Sequence, residues 1–280
     1  MLNNKFVLLA VALFAVSSSA WVVRILPDTS AITLAFWRMF LASVLVFVLS
    51  YKSAASFVPN KKMLLAGIFL GIHFALFFRS VQLTSIAEAA LLGTTAPIFT
   101  EIYSFVFQKK KPVGMVVFGL CVAFLGAGTL VSQSSFSATS TVGNLFAVMC
   151  SVAMALVLIV GKNIRKSVGV FEYTRWLFFF AALTLLGISF FAEVSVFSFS
   201  KEEFPWFLFL ALVPTMVGHN IFYYLIKNLA TTTVAAVPLG EPVVSSLGAW
   251  IFFGEPVGQA VILGGGITLV GVFLVVRFGN

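Results

Sequence analysis

Charged residues are scarce in this 280-residue sequence. Lysine, arginine, aspartate and glutamate together make up 9% of it, whereas a soluble globular chain carries roughly 25%. By contrast, 61% of the residues are hydrophobic and 33 are phenylalanine. A water-soluble fold of this length could not hide so much apolar surface. We therefore predict that lipid surrounds most of the chain, which forms one all-α integral membrane domain.

The residues that membrane enzymes and metal sites require are also few. Asp28 is the only aspartate, and the two histidines are 146 residues apart, which argues against paired-aspartate and HExxH chemistry. The sequence has no GxSxG nucleophile motif, although its many serines leave serine chemistry as an alternative. Cys121 and Cys150 fall inside apolar runs, which favours packing over a disulfide. We expect no catalysis, metal or cofactor, and the lack of a charged ring or filter segment disfavours a channel.

Apolar runs of roughly 20 residues, enough to cross a ~30 Å hydrocarbon core, recur along the whole chain. We predict ten membrane-spanning helices over residues 5–23, 31–50, 63–81, 85–107, 113–132, 142–161, 171–192, 205–226, 231–253 and 257–277. The first run resembles a signal peptide, but it continues through Trp21 and many spans follow it. We interpret it as an uncleaved first helix.

The basic residues lie between the apolar runs and orient the predicted helices. With the N-terminus in the cytoplasm, twelve cations lie on the cytoplasmic side: Lys5, Lys52, Lys61, Lys62, Lys109, Lys110, Lys111, Lys162, Arg165, Lys166, Lys227 and Arg277. The outer loops hold few. This asymmetry predicts that both termini are cytoplasmic. The net charge of +8 therefore indicates membrane orientation, and we expect no nucleic-acid partner.

The second half of the chain repeats features of the first. Three pairs match at offsets of 146, 145 and 144 residues: Gly71-Ile72-His73 with Val217-Gly218-His219, Ala96-Pro97 with Glu241-Pro242, and Lys111-Pro112 with Glu255-Pro256. We predict two five-helix repeats, residues 1–135 and 136–280, which together form one domain. Because five is odd, the second copy would cross the membrane in the opposite sense, as in many secondary transporters.

Several stretches resemble a known family. They are LAFWRMFLASVLVFVL, LTSIAEAALLGTTAPIFTEIYSFVF, KKKPVGMVVFGLCVAFLGAGTLV and PLGEPVVSSLGAWIFFGEPVGQAVILGGGITLVGVFLV. With them the chain resembles a bacterial EamA-type transporter of the drug/metabolite transporter superfamily. The resemblance implies ten helices, a central cavity and export of small metabolites, amino acids prominently, across the cytoplasmic membrane. The second copy keeps the family's Gly254-Glu255, whereas the first has three lysines there.

Glu241 is the most informative candidate for a binding site. It lies about ten residues into the predicted ninth span, close to the bilayer midplane, where a carboxylate is costly. Helical spacing places Pro238, Ser245 and Gly248 on the same face, which should point into the protein. Glu241 could bind a substrate or proton beside a cavity, or it could accept hydrogen bonds from amides freed by the prolines. The sequence leaves both interpretations open.

The prolines recur in both repeats. Pro97 and Pro242 are repeat equivalents, while Ala96 stands where the second copy has Glu241. We interpret Pro97, Pro238 and Pro242 as structural hinges that bend equivalent helices around a shared cavity.

His73 and His219 occupy equivalent mid-span positions. A symmetric pair could bind substrate or relay protons, or each could make an interhelical hydrogen bond. Asn220 and Tyr223 follow His219, and Phe77 follows His73 one turn later, so these residues are further candidates.

Two tryptophans stand beside polar residues. Trp21 follows Ser18, and Trp37 precedes Arg38, so Ser18 and both indoles are candidates for a cavity wall. The alternative for each indole is an anchor at the membrane interface. Arg38 and its counterpart Arg175 suggest a shared structural role, by snorkelling or by pairing with Glu172.

Cationic side chains are scarce at mid-span, which argues against phosphorylated substrates. A cavity rich in aromatic rings favours apolar or aromatic amino acids, or small organic cations and drugs. We predict alternating access by rocking of the two repeats, with proton coupling as a separate hypothesis. The direction of transport and the choice between monomer and homodimer are not given by the sequence.

Overall fold

The computed structural model describes residues 2–51, 59–131, 138–254 and 259–279. Within these ranges the chain forms helices and turns and contains no β-strand. The prediction of an all-α protein is confirmed. Glu255 of the Gly254-Glu255 pair and Lys52 lie outside the described residues.

The helices follow the apolar runs of the sequence. In the first half they are α1 (Leu2–Ile25), α2 (Ala31–Leu49), α3 (Lys61–Leu83), α4 (Ile86–Gly93), α5 (Ala96–Val106) and α6 (Gly114–Val131). The second half contains α7 (Ala138–Arg165), α8 (Val170–Phe191), a 3-10 turn (Lys201–Glu203), α9 (Phe204–Leu210), a π-helical segment (Ala211–His219), α10 (Asn220–Leu225), α11 (Thr231–Ala236), a 3-10 turn (Val237–Gly240), α12 (Glu241–Phe253) and α13 (Gln259–Phe278).

Eight helical stretches of the described chain are long and apolar enough to cross a membrane. Two shorter apolar helices, Gly114–Thr129 and Ile262–Phe278, lie where the fifth and tenth spans were predicted. The described residues thus provide eight candidate spans by length and composition, two fewer than the predicted ten.

The distribution of polar residues is the reverse of that in a water-soluble protein. Leu125 and Phe191 are 71% and 94% exposed, whereas Arg38 is only 1% exposed. Glu88, His73 and many serines and threonines are buried with Arg38. An apolar exterior around a partly polar interior suits lipid as the surrounding solvent. The chain is a multi-pass membrane protein.

The helices of the two halves pack in a reciprocal pattern. Helix α1 packs on the π-helical segment of the second half, and α7, the first helix of that half, packs on α3. Likewise α4 and α5 contact α12 and α11, and α6 lies along α13. Two similar halves related by an approximate two-fold axis would produce such exchanged contacts.

Glycines allow α6 and α13 to approach closely. A Cβ atom added to Gly126 would lie 2.5 Å from the backbone nitrogen of Thr268, and one added to Gly264 would lie 2.6 Å from the carbonyl of Gly126. Gly126 and Gly264 thus act as packing residues between two helices. Among the described residues, no atom beyond the neighbouring turns of its own helix lies within 4 Å of a Cβ added to Gly128.

Candidate functional site: a cavity between two broken helices

The predicted fourth and ninth spans are each broken near their middle. Helix α4 ends at Gly93 and α5 begins at Ala96, with Pro97 in its first turn. Helix α11 gives way to the 3-10 turn that contains Pro238, and α12 starts at Glu241, followed by Pro242. Proline has no amide hydrogen to donate, so it interrupts a helix but suits the first turn of the next one. The prolines thus lie at the two breaks.

A cavity of about 50 Å³ lies between the breaks. Both halves contribute to its wall, which includes backbone or side chains of Gly93, Thr94, Ala96, Val234, Ala235, Pro238 and Glu241 from the broken helices. Residues of α1, α2, α3, α7, the π-helical segment and α10 complete the wall. This volume holds a few water molecules, so the helices must separate before a metabolite can occupy it.

Arg38 is the cation of this cavity. Its Nε donates to Thr215 Oγ1 at 2.8 Å, and its Nη1 donates to Ser19 Oγ at 3.0 Å. The guanidinium carbon lies 4.1 Å from the centroid of the Phe74 ring, a cation–π distance. Nη2 is buried, and no described residue forms a hydrogen bond with it. Within the described part of the chain, the arginine is therefore held by two hydrogen bonds and one ring while Nη2 keeps its hydrogens unpaired.

Glu241 lines the same cavity from the first position of α12. Among the hydrogen bonds of the described residues, none involves the Glu241 carboxylate, so the bonds to freed amides that a structural role would use are not made there. Arg38 and Glu241 interact electrostatically, but no ion pair joins them among the described residues. A guanidinium group and a carboxyl group thus line one cavity without a hydrogen bond between them among the described residues.

The two histidines also line the cavity, and they differ in their bonding. Nδ1 of His73 lies 2.9 Å from the backbone oxygen of Cys150, which can only accept, so this nitrogen carries the proton. His73 therefore makes the interhelical bond proposed as its structural alternative. His219 makes only ring contacts among the described residues, and the rings of both histidines meet Phe74 edge-on, at 4.8 and 5.3 Å.

Two further candidates, Phe77 and Tyr223, line the cavity as well. The Phe77 ring stacks on His73 at 6.1 Å. The hydroxyl of Tyr223 is buried, and none of the described residues forms a hydrogen bond with it. Asn220 is buried but does not line the cavity, and its Nδ2 lies 3.6 Å from the sulfur of Met216.

Trp21, Ser18 and Ser245 lie behind the wall instead of facing the cavity. The Trp21 indole donates to the backbone oxygen of Ser245 at 3.1 Å. The Ser245 hydroxyl in turn donates to the backbone oxygen of Ser17 at 3.3 Å. The Ser18 hydroxyl bonds within its own helix, to Ala15. The bonds of Trp21 and Ser17 to Ser245 join α1 to α12 and support the cavity wall from behind.

Trp37 lies away from the cavity, against the segment that follows α8. Its indole donates to the backbone oxygen of Val196 at 2.8 Å. Its ring packs against Phe199 at 5.1 Å and Phe207 at 6.1 Å. Trp37 thus fastens residues 193–200 to α2.

Arg38 and Arg175, predicted to share a role, have different surroundings. The Arg175 guanidinium lies beside the rings of Phe47 and Trp176, at 5.5 and 5.6 Å, and is not among the residues lining the cavity. The sequence reasoning missed Arg38 as a cavity residue because its repeat symmetry favoured a structural interpretation. The signal was available, since an arginine within an apolar span is costly unless it faces a cavity or a partner.

A second, more polar cavity of about 250 Å³ lies one helical turn from the first. Its wall includes Thr100, Glu101, Lys110, Lys111, Lys162 and Thr232. The Thr100 hydroxyl lies 3.2 Å from that of Thr232, which donates to Glu101 Oε2 at 2.7 Å. Thr100 follows the cavity residue Ala96 by one turn of α5. The two threonines and Glu101 thus form a hydrogen-bonded layer between the cavities.

Comparisons with known proteins agree with this architecture. The EamA-like transporter family matches residues 5–132 and 141–277. An uncharacterized transporter of Archaeoglobus fulgidus is 25% identical over 259 residues, 92% of this chain and 91% of the relative. The pseudopaline exporter CntI of Pseudomonas aeruginosa is 26% identical over 248 residues, 86% and 84% of the two chains. A crystal structure with 15% identity superimposes with a TM-score of 0.81 over 99% of this chain and 98% of its own, which shows a shared fold.

The matched residues cover both halves and leave only short segments at the ends and in the middle. The family and the relatives' names indicate transport rather than catalysis. The chain belongs to the EamA-like transporter family, within the drug/metabolite transporter superfamily.

Proposed function

We propose that the protein exports small metabolites, amino acids foremost, across a bacterial cytoplasmic membrane by alternating access. One observation carries the proposal: the buried cavity is walled by both halves at the point where two helices are broken, and it holds polar and charged side chains. Sites in secondary transporters lie at such interfaces between repeats, close to discontinuous helices.

The topology we propose has ten crossings. It counts the shorter helices that contain Gly114–Thr129 and Ile262–Phe278 as the fifth and tenth spans, and it groups residues 1–135 and 136–280 as inverted repeats. Both termini would be cytoplasmic, together with Lys110, Lys111 and Lys162. The second cavity would then open toward the cytoplasm.

Alternating access follows from the size of the central cavity. Because about 50 Å³ is too small for a metabolite, the substrate enters when one end of the bundle opens. Rocking of the halves would separate Thr100 from Thr232 at the proposed cytoplasmic end. At the other end the halves meet where Arg38 of α2 binds Thr215 of the π-helical segment.

We propose that the side chains of His73, Phe77, His219, Tyr223 and Glu241 contact the substrate. The aromatic rings suit an apolar or aromatic amino acid. A relative named as an exporter of pseudopaline supports export of a small organic molecule. We assign Ser18, Trp21, Trp37, Asn220 and Ser245 to supporting the wall and the outer segment, and Pro97, Pro238 and Pro242 to the helix breaks.

The second candidate substrate class is small organic cations. It is favoured because the Glu241 carboxyl group lines the same cavity as the aromatic rings of Phe74 and Phe77, and such rings attract cations. Proton coupling through Glu241 or the histidines is a separate proposal.

Uptake of radiolabelled amino acids into proteoliposomes tests these proposals, with a small labelled organic cation measured in parallel. Accumulation of an amino acid above that in protein-free liposomes is the expected result. If none of the twenty amino acids is transported, the proposal of amino-acid export is wrong. The same uptake with and without an imposed pH gradient tests proton coupling, which is wrong if the rate ignores the gradient.

A further inference from the structure

The free nitrogen of Arg38 is oriented by every other contact of that side chain. Nε and Nη1 are bound to Thr215 and Ser19, the Phe74 ring lies against the guanidinium, and the residue is 1% exposed. Nη2 is buried and has no hydrogen-bond partner among the residues that the structure describes. A buried donor without a partner is unfavourable, so this nitrogen is suited to an acceptor that enters the cavity. A carboxylate is the acceptor that guanidinium geometry matches best.

Glu241 offers the complementary group. Its carboxylate lines the same cavity, and none of the described hydrogen bonds uses it. A carboxylate in surroundings of low dielectric attracts an ammonium group strongly. Arg38 belongs to the first half of the chain and Glu241 to the second, so a ligand between them would touch both halves.

We propose that Arg38 binds the carboxylate of the transported molecule and Glu241 binds its ammonium group. The substrate is then a zwitterion, such as an α-amino acid, in which both charges lie a few bonds apart. This inference rests on the proposed function and narrows it. A simple organic cation would leave Arg38 unpaired, and a simple carboxylic acid would leave Glu241 unpaired, so the site discriminates against both.

The test compares three probes that share one aromatic side chain. L-Phenylalanine carries both charges, L-phenylalanine amide lacks the carboxylate, and 3-phenylpropanoate lacks the ammonium group. Binding to the purified full-length protein in nanodiscs is measured by isothermal titration calorimetry. We expect each single-charge probe to bind at least tenfold more weakly than phenylalanine.

Two variants assign the charges to residues. Glu241→Gln should abolish the preference for phenylalanine over 3-phenylpropanoate, and Arg38→Lys should reduce the preference for phenylalanine over its amide. Arg175→Lys is the matched control, because Arg175 is the repeat counterpart of Arg38 and does not line the cavity. Elution as a single species in size-exclusion chromatography shows that each variant is folded. Glu241→Gln keeps the inference testable if Arg38→Lys fails to fold.

The outcomes separate this inference from the proposed function. Equal binding of phenylalanine and its amide by the wild-type protein would overturn the role of Arg38, and transport of small metabolites would still stand. Unchanged probe preferences in both variants would overturn the assignment to these residues. If neither phenylalanine nor any other amino acid bound, the zwitterion inference would fall together with amino-acid export.

Discussion

The hydroxyl groups of Thr100 and Thr232 lie 3.2 Å apart and join α5 to α11 across the interface of the two halves. Thr232 also donates to Glu101, so its hydroxyl is bonded to both the Thr100 hydroxyl and the Glu101 carboxylate between the cavities. The layer is buried, with Thr100 1% and Thr232 5% exposed. Opening of this end must break these bonds, which makes the layer a candidate gate.

We expect Thr232→Val to favour opening at this layer. Valine removes the hydrogen bonds of Thr232 with both Thr100 and Glu101. At about 1 kcal/mol each, their loss changes an equilibrium constant by roughly 30-fold. The readout is maleimide labelling of a cysteine introduced at Ala96, in a background without Cys121 and Cys150. Thr174→Val is the control, because Thr174 is buried but donates only within its own helix, to Val170. Equal labelling rates in the two variants would contradict the gate.

Glu241→Gln should lower transport with little loss of stability. The substitution keeps the shape of the side chain, and none of the described hydrogen bonds depends on the carboxylate. We expect the initial rate of transport into proteoliposomes to fall at least tenfold. This fall should exceed the factor by which Pro97→Ala lowers the folding yield. Fluorescence-detected size-exclusion chromatography measures that yield. Full transport activity in Glu241→Gln would leave the residue structural.

Gly126→Ala should destabilise the contact between α6 and α13. The new Cβ would lie 2.5 Å from the backbone nitrogen of Thr268, and overpacking costs about 1–3 kcal/mol. Gly128→Ala is a matched control on the same helix, since its Cβ would meet no atom of the other described helices within 4 Å. Thermal unfolding in detergent should show a lower Tm for Gly126→Ala alone. Similar shifts in both variants would mean that the close approach does not matter.

Trp37→Phe should release residues 193–200 from α2. It keeps an aromatic ring but removes the bond to Val196, worth about 1 kcal/mol. Hydrogen exchange of this segment should rise roughly fivefold. Trp176→Phe serves as the comparison, because the Trp176 indole nitrogen has no hydrogen-bond partner in the described part of the chain. The assignment fails if exchange of the segment is the same in both variants.

The sequence was most informative where one physical effect dominates. Long apolar runs locate helices because a single segment that crosses lipid satisfies all its backbone hydrogen bonds only as a helix. The prolines that were interpreted as hinges lie at the breaks of two predicted spans, since proline has no amide hydrogen for helix bonding. Gly126 and Gly264 lie where two helices approach closely, because small side chains within apolar helices permit close contact.

The sequence was least informative about which polar side chains meet. Arg38 faces the cavity and Trp37 does not, although the two are neighbours on one helix. That difference depends on the direction in which α2 faces its partners, which a local pattern does not specify. Trp21 and Ser245, 224 residues apart, pair for the same reason. Only the packing of the two halves brings them together.

The π-helical segment Ala211–His219 has a mechanical consequence. The Thr215 hydroxyl, which accepts from Arg38 Nε, donates to the backbone oxygen of Leu210 five residues earlier, at 2.8 Å. A π turn contains one residue more than an α turn, so this stretch stores a spare residue in its length. Passing that residue along the helix would rotate Thr215 about the axis while both ends stayed anchored. The hold on Arg38 could thus be released by a shift of register, with no need for the helix to unfold.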